Sequence, residues 1–333
     1  MEIPPFSYTA EIVSLISEIS FQLGRYPTQV NAQDSLHLRR INRIRTIHGS
    51  LAIEGNMLSE EQVTAIINGR TVIAPIREIQ EVRNALNAYD LFPQLDAFDI
   101  NDLLYAHGTI MKELKPDAGK FRTCSVGVYS DRGCIHIAPP PLNVPPLMNN
   151  LFDWLAHAED HLLIRASVFH YEFEIIHPFS DGNGRTGRLW QSLIMSKFNP
   201  IFADLPVENL VCAHQHEYYE AIAASTRQNE STPFITFMLR SILKTLKQHQ
   251  GEAFISNGIA GRDTALDKHE KQILSLIAEN PRISIKAMAE KLDLVYRQCE
   301  RIVAKMRKRK LIHREGANKR GQWRAGPEEK QNS

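Results

Sequence analysis

The residues best equipped for chemistry lie in one short stretch, residues 177–188: His177-Pro178-Phe179-Ser180-Asp181-Gly182-Asn183-Gly184-Arg185-Thr186-Gly187-Arg188. Gly182 and Gly184 carry no Cβ and can take positive φ, so backbone N–H groups there can converge on an anion. The turn feeds a predicted helix from Leu189, and a helix N-terminus favours phosphate through its unpaired N–H groups and its dipole. Arg185 and Arg188, three residues apart on one helical face, offer two guanidinium forks to successive phosphates. Asp181 sets a hard carboxylate beside that nest, suited to Mg²⁺ that bridges phosphates. His177, four residues earlier, can take a proton near neutral pH. Asn183 either donates to the same phosphates or ties the loop together.

A second cluster is Ser50-Leu-Ala-Ile-Glu54-Gly55, preceded by Arg39, Arg40, Ile44 and Ile47 as on an amphipathic helix. Gly55 marks a helix C-terminus. A carboxylate at that end sits badly with the helix dipole and would be better placed against a guanidinium.

These residues need elements to hold them. Apolar residues at spacings of three and four make most of the first 250 positions helical, as in Val82-Leu86-Tyr89 and Leu103-Leu104-His107-Ile110-Met111. Leu162 to Ile176 reads as a buried helix ahead of the glycine turn. Residues 121–138 interrupt the pattern with two β-prone runs around Ser130-Asp131-Arg132-Gly133, a hairpin signal. Pro139, Pro140, Pro141, Pro145 and Pro146 are expected to keep the chain extended until the next helix. The small and polar residues from Gln250 read as a linker. After it come three predicted helices: one through Ile273 and Ile277, one N-capped by Ser284, and one over residues 295–308. Two short strands follow, at Leu311-Ile312 and Gln322-Trp323, with Trp323 expected to plug the wing's core; this is winged helix-turn-helix order.

The 333 residues are 43% hydrophobic and 23% charged, which excludes a disordered, collagenous or simple coiled-coil chain. No apolar run approaches the ~20 residues of a membrane span, and Met1-Glu-Ile-Pro-Pro does not read as a secretory leader. The cysteines, Cys124, Cys134, Cys212 and Cys299, form no metal-like spacing. Cys124 and Cys134 could meet across the hairpin, but nothing points to secretion, so free thiols in the cytoplasm are expected. Net charge is +1, yet residues 282–324 hold 14 Lys/Arg and 4 Asp/Glu, leaving the rest at −9. A basic C-terminal module on an acidic body suggests a nucleic-acid-facing domain.

The stretch from His177 to Arg188 resembles the signature of the Fic family, HxFx(D/E)GNGRxxR, at every defining position. The resemblance implies a mainly α fold: a Fic-type helical bundle with a β-hairpin flap, plus the C-terminal winged helix. It implies an N-terminal helical region over 1–110 with an inhibitory helix at about 36–55, and a Fic core over 111–249. A linker at 250–265, a winged helix at 266–326 and a tail at 327–333 complete the expected division. It implies a nucleotidyltransferase, a protein adenylyltransferase moving AMP from ATP, with Mg²⁺, to a Ser, Thr or Tyr hydroxyl of a target or of itself. His177 would be the base, Asp181 would hold the metal, and Phe179 would anchor the loop. The whole run of Asp181, Gly182, Asn183, Gly184, Arg185, Thr186, Gly187 and Arg188 would bind nucleotide. Relatives acting as kinases carry lysine at a glycine of this loop; Gly184 is intact, which favours AMP transfer.

The same resemblance makes Ser50 and Glu54 an inhibitory motif, Glu54 pairing with Arg188 to misplace ATP; in some relatives this glutamate instead orients a water that removes AMP. The hairpin would be a flap that docks the target's backbone at Val126, Gly127 and Val128, with Phe121-Arg122 ahead of it fitting the family pattern. Tyr218 and Tyr219 would line the adenosine pocket or, read as structure alone, sit half-buried on a helix. Thr226 stands where relatives often have asparagine, with Asn229 close by. The third helix and wing carry Arg297, Arg301, Lys305, Arg307, Arg314 and Lys319, so DNA is an expected partner beside the target protein, and a homodimer is left open. The rival reading is a DNA-binding regulator whose Fic domain senses nucleotide.

Overall fold

A computed structural model of the chain describes residues 3–25, 32–130, 133–259, 268–292, 294–308, 311–315 and 322–325. The fold is mainly α. It forms two compact units, Met1–His249 and Gln250–Ser333. No described helix is long and apolar enough to cross a membrane.

The first unit begins with helices α1 (Ala10–Gly24), α2 (Ala32–Ile53), α3 (Glu60–Ile67), α4 (Ile76–Asp90) and α5 (Ile100–Ile110). An antiparallel hairpin follows, β1 (Gly127–Ser130) with β2 (Gly133–Ile137). Then come α6 (Val144–His157), α7 (Leu162–Ile176), α8 (Asn183–Phe198), α9 (Val207–Ala213), α10 (Gln215–Gln228) and, as far as His249, α11 (Thr232–Ile259).

The antiparallel pair α7 and α8 is the centre. Helix α7 buries Leu163, Ile164, Val168, Phe169, His170, Tyr171 and Phe173, so apolar residues point in almost every direction. A helix with no polar face must be surrounded. On α8, Leu189, Trp190, Leu193, Ile194 and Met195 are buried, and Trp190 donates its indole N–H to the Ala97 carbonyl at 3.1 Å. Gly187 permits the close approach of the two helices: a Cβ there would meet Glu174 at 3.0 Å and the Phe173 ring at 3.1 Å.

Helix α2 carries Glu54 just past its end, and it is fixed into the same core by Ile44, Ile47, Leu51 and Ile53. A Cβ at Gly49 would lie 2.9 Å from the Asn209 backbone, so α2 lies directly on α9. Its terminus closes with Asn56 N–H on the Leu51 carbonyl at 3.1 Å and Gly55 at φ 87°, a left-handed glycine stop.

Two expectations are corrected. Pro145 and Pro146 do not precede the next helix in an extended segment; they lie in the first turn of α6, where a missing N–H costs nothing. The segment read as a linker is helical as far as Ile259. It has no proline, and its glycines cost a helix only about 1 kcal/mol each against alanine. Residues 260–265 of that linker lie outside the described residues, as do Asp131 and Arg132 of the expected hairpin.

The second unit holds α12 (Lys268–Glu279), α13 (Ile285–Lys291), α14 (Tyr296–Lys308) and the antiparallel strands β3 (Ile312–Glu315) and β4 (Gln322–Ala325). Ser284 caps α13 by accepting from Ala287 N–H at 3.1 Å. Ile273, Ile277, Met288, Val303, Met306 and Ile312 form its core with Trp323, whose indole N–H donates to the Ile283 carbonyl at 3.0 Å. Cys124, Cys212 and Cys299 are free thiols.

Candidate active site

Helix α7 stops because His177 is left-handed, at φ 49° and ψ 61°. Non-glycine residues seldom adopt positive φ, so something must hold it there. Arg122 does. Its Nε donates to the His177 carbonyl at 2.7 Å, and its terminal nitrogens reach the carbonyls of Cys124 (2.9 Å), Pro139 (2.6 Å) and Ile176 (3.3 Å). Its backbone N–H adds the Pro178 carbonyl at 2.9 Å. One buried guanidinium thus ties both feet of the β1–β2 hairpin to the residue that would act as base. Val126 lies at that foot, where its carbonyl accepts from Ala138 N–H at 3.3 Å, while Gly127 and Val128 begin β1 opposite Ile137 and His136. Lysine has no planar fork to span four carbonyls. Arg122→Lys is expected to lower stability by about 3 kcal/mol or more, since each orphaned buried carbonyl costs ~1 kcal/mol or more; urea midpoints followed by circular dichroism check it.

The turn after His177 is locked from inside. Asn183 Oδ1 accepts from Phe179 N–H, and its Nδ2 donates to the Phe179 carbonyl, each at 2.9 Å. Of its two expected uses, Asn183 therefore ties the loop. Phe179 is fully buried, stacked 3.6 Å from the His107 ring. Gly182 has φ 82°, and a Cβ there would strike Met111 Sδ at 2.5 Å. Helix α8 starts on this glycine, so its first N–H groups open beside Asp181.

Asp181 is ringed by cations. Its Oδ1 lies 3.1 Å from Arg185, and its Oδ2 lies 3.6 Å from Arg77 and 3.7 Å from Lys115. Arg185 also reaches Glu81 at 3.5 Å. Among the described residues no group of three or more His, Cys, Asp or Glu could hold a metal. A lone, partly exposed carboxylate still fits Mg²⁺, which keeps several waters and leans on one carboxylate plus substrate phosphates.

Arg188 is buried. Its Nε donates to Ser50 Oγ at 3.1 Å, and one terminal nitrogen reaches the Ser50 carbonyl at 3.0 Å and Glu54 Oε1 at 2.7 Å. Burial is the largest single influence and works against its charge, but Glu54, Tyr218 and Glu174 together outweigh it and raise its pKa above the ordinary value. Glu54 also stands over the turn: a Cβ on Gly184 would collide with Glu54 Oε1 and lie 2.9 Å from Arg188. The carboxylate therefore occupies the space directly over Gly184.

Behind Arg188 lies Glu174. Burial pushes its carboxyl up to about 7, with Arg188 opposing and Glu54 adding to the rise. The folded chain then keeps a proton that the unfolded chain releases near the ordinary value of 4.5, so this group's stabilisation is lost as pH rises between the two. Glu174→Gln is expected to flatten that stretch of the stability–pH curve; denaturation midpoints across it test the slope.

Three expected nucleotide contacts are placed elsewhere. Thr186 is fully buried, and Gly187 faces α7. Both lie on the face of α8 that continues to Trp190 and Leu193, away from the turn. Tyr218 is also in the core, its hydroxyl 2.8 Å from His170 Nε2, and only Tyr219 keeps exposed ring surface. Burial pushes His170 down to about 3. Thr226 is spent inside the fold, donating to the Ile222 carbonyl at 2.9 Å. Unforeseen in the sequence were His107, Arg77, Glu81, Lys115 and Glu174. His107 alone left a signal, a titratable group within an apolar helix face.

Residues 97–195 match the family model for the Fic/DOC family, and residues 266–313 match that for a winged helix-turn-helix DNA-binding domain. The protein adenylyltransferase fic-1 of Caenorhabditis elegans is 32% identical over 261 residues, covering 72% of this chain and 49% of that protein. The protein adenylyltransferase Fic of Culex quinquefasciatus is 29% identical over 259 residues, covering 72% and 49%. The chain spans about half the length of the curated relatives it matches. A crystal structure of a Fic family protein from Desulfovibrio desulfuricans superimposes with a TM-score of 0.74 at 37% identity, covering 99% of this chain and 100% of that one.

Proposed function

The chain belongs to the Fic family, and from that premise we propose that it is a protein adenylyltransferase, held in check by Glu54. One observation carries this reading. The glycine turn that opens α8 follows His177 directly, and Arg188 lies over Gly184 in contact with Glu54.

His177 takes the proton of an incoming Ser, Thr or Tyr hydroxyl as its oxygen bonds to the α-phosphorus of ATP. The bond from that phosphorus to the bridging oxygen breaks, and pyrophosphate leaves. The Gly182–Gly184 backbone and the N-terminus of α8 receive the phosphate charge, and Arg188 takes the outer phosphate once Glu54 is gone. Asp181 would hold Mg²⁺, which supplies charge neutralisation across the phosphates. Most of the rate then comes from positioning and charge rather than from covalent chemistry. Val126, at the foot of the hairpin, and Gly127 and Val128, which begin β1, are where a target's backbone docks by main-chain pairing.

Incubation of the Glu54→Gly protein with Mg-ATP labelled on either the α- or the γ-phosphate tests the reaction. Label from the α-phosphate alone is expected on protein. Label from the γ-phosphate alone would make the chain a kinase and overturn the proposal.

The second unit favours one addition. Arg297, Arg301, Lys305 and Arg307 are exposed on α14, with Val295 and Tyr296 exposed at its start. This suits a helix presented to a DNA groove. Duplex DNA binding is expected to weaken steeply between low and physiological salt, as phosphate contacts do. An Arg297→Ala, Arg301→Ala double variant that binds DNA as the parent does would remove it.

A further inference from the structure

We propose that His107 is a positioning residue that fixes which way the Asp181–Gly182 peptide faces and so keeps the anion nest of the turn formed. This rests on the nucleotide-binding reading of the turn given above.

His107 is buried on α5, outside the signature stretch. Its Nδ1 accepts from Gly119 N–H at 2.9 Å, so the ring proton sits on Nε2, which donates to the Asp181 carbonyl at 3.0 Å. The ring lies flat on Phe179, tilted by only 3°, and cannot rotate away. In a trans peptide the carbonyl and the following N–H point in opposite directions. Drawing the Asp181 carbonyl inward to His107 therefore turns the Gly182 N–H outward, where it now meets Asp181 Oδ1 at 2.7 Å. The following residue is a glycine at φ 82°, which tolerates either orientation of that peptide. Without an anchor the peptide can flip and present its carbonyl oxygen, which repels phosphate. The same ring bonds Gly119, in the segment that runs to Arg122, so the nest and the foot of the hairpin share one support.

His107→Phe keeps the ring and its stacking but removes both hydrogen bonds; His107→Gln restores a donor of similar reach. Both are compared with the Glu54→Gly parent. In ligand-free protein the Gly182 amide, followed by hydrogen exchange, is expected to exchange about tenfold faster in His107→Phe. Mg-ATP affinity is expected to fall about tenfold with kcat for the bound fraction changed far less, and His107→Gln is expected to recover most of it. The proposal is overturned if the Gly182 amide keeps its protection in His107→Phe. It is also overturned if affinity falls only in step with the folded fraction in both variants. A parent that binds no Mg-ATP defeats the nucleotide reading itself, while the exchange of the Gly182 amide still decides His107.

Discussion

Glu54→Gly is expected to raise AMP transfer, to itself and to targets, by roughly 100-fold, the scale on which one aimed donor acts on developing phosphate charge. Two effects act together. The 2.7 Å ion pair that occupies Arg188 is lost, and the carboxylate standing over Gly184 is removed from the path of the phosphates. Arg188 does not collapse, because Ser50 still holds its Nε at 3.1 Å. Glu54→Gln separates the two effects, since it keeps the bulk and removes the charge. Activity and stability are expected to move in opposite directions. Losing Glu54 leaves a buried guanidinium with fewer partners, but the glutamate is 31% exposed and screened, so the loss is about 1–2 kcal/mol. Initial rates with α-labelled ATP and thermal melts of the same samples check both. Equal rates in the variant and the parent would remove Glu54 as an inhibitor.

Replacing His177 is the opposite case. In the Glu54→Gly background, His177→Ala is expected to lower transfer by about 10²- to 10⁴-fold, the usual worth of a positioned base, with Mg-ATP binding retained. Alanine also strains the left-handed backbone at this position, where φ is 49°. His177→Asn is the cleaner variant, because asparagine tolerates that conformation and cannot act as the base. Both variants are expected to fall equally in rate and to differ in melting temperature. A His177→Asn protein that still transfers AMP at the parent rate would assign the proton to another group.

Much of the site was legible because it is local. Twelve consecutive residues bring a histidine, a glycine turn and two arginines to one helix start, and that needs only chain connectivity. The winged helix was equally readable, since Ser284 and the spacing of Ile273 and Ile277 are short-range signals. Errors came where adjacency in sequence stood in for direction in space. Thr186 shares a helical face with Trp190 and Leu193 and is fully buried, although Arg185 beside it reaches Asp181. Tyr218, Ile222 and Ser225 make the buried face of α10 by the same rule, leaving Tyr219 only partly buried. What could not be read is the support arriving from far along the chain. Arg122 gathers carbonyls from Cys124 to Ile176, His107 reaches Asp181, and Arg77 and Lys115 come to Asp181 from separate segments. No local pattern encodes such pairings; only the packed fold shows them.

The most direct measurement is a crystal structure of the Glu54→Gly protein soaked with Mg-ATP. The triphosphate is expected on the backbone N–H groups from Gly182 to Gly184, with Arg188 on its outer phosphate and the α-phosphorus open to a hydroxyl beside His177. A triphosphate bound elsewhere, with that turn free of phosphate, would contradict the assignment.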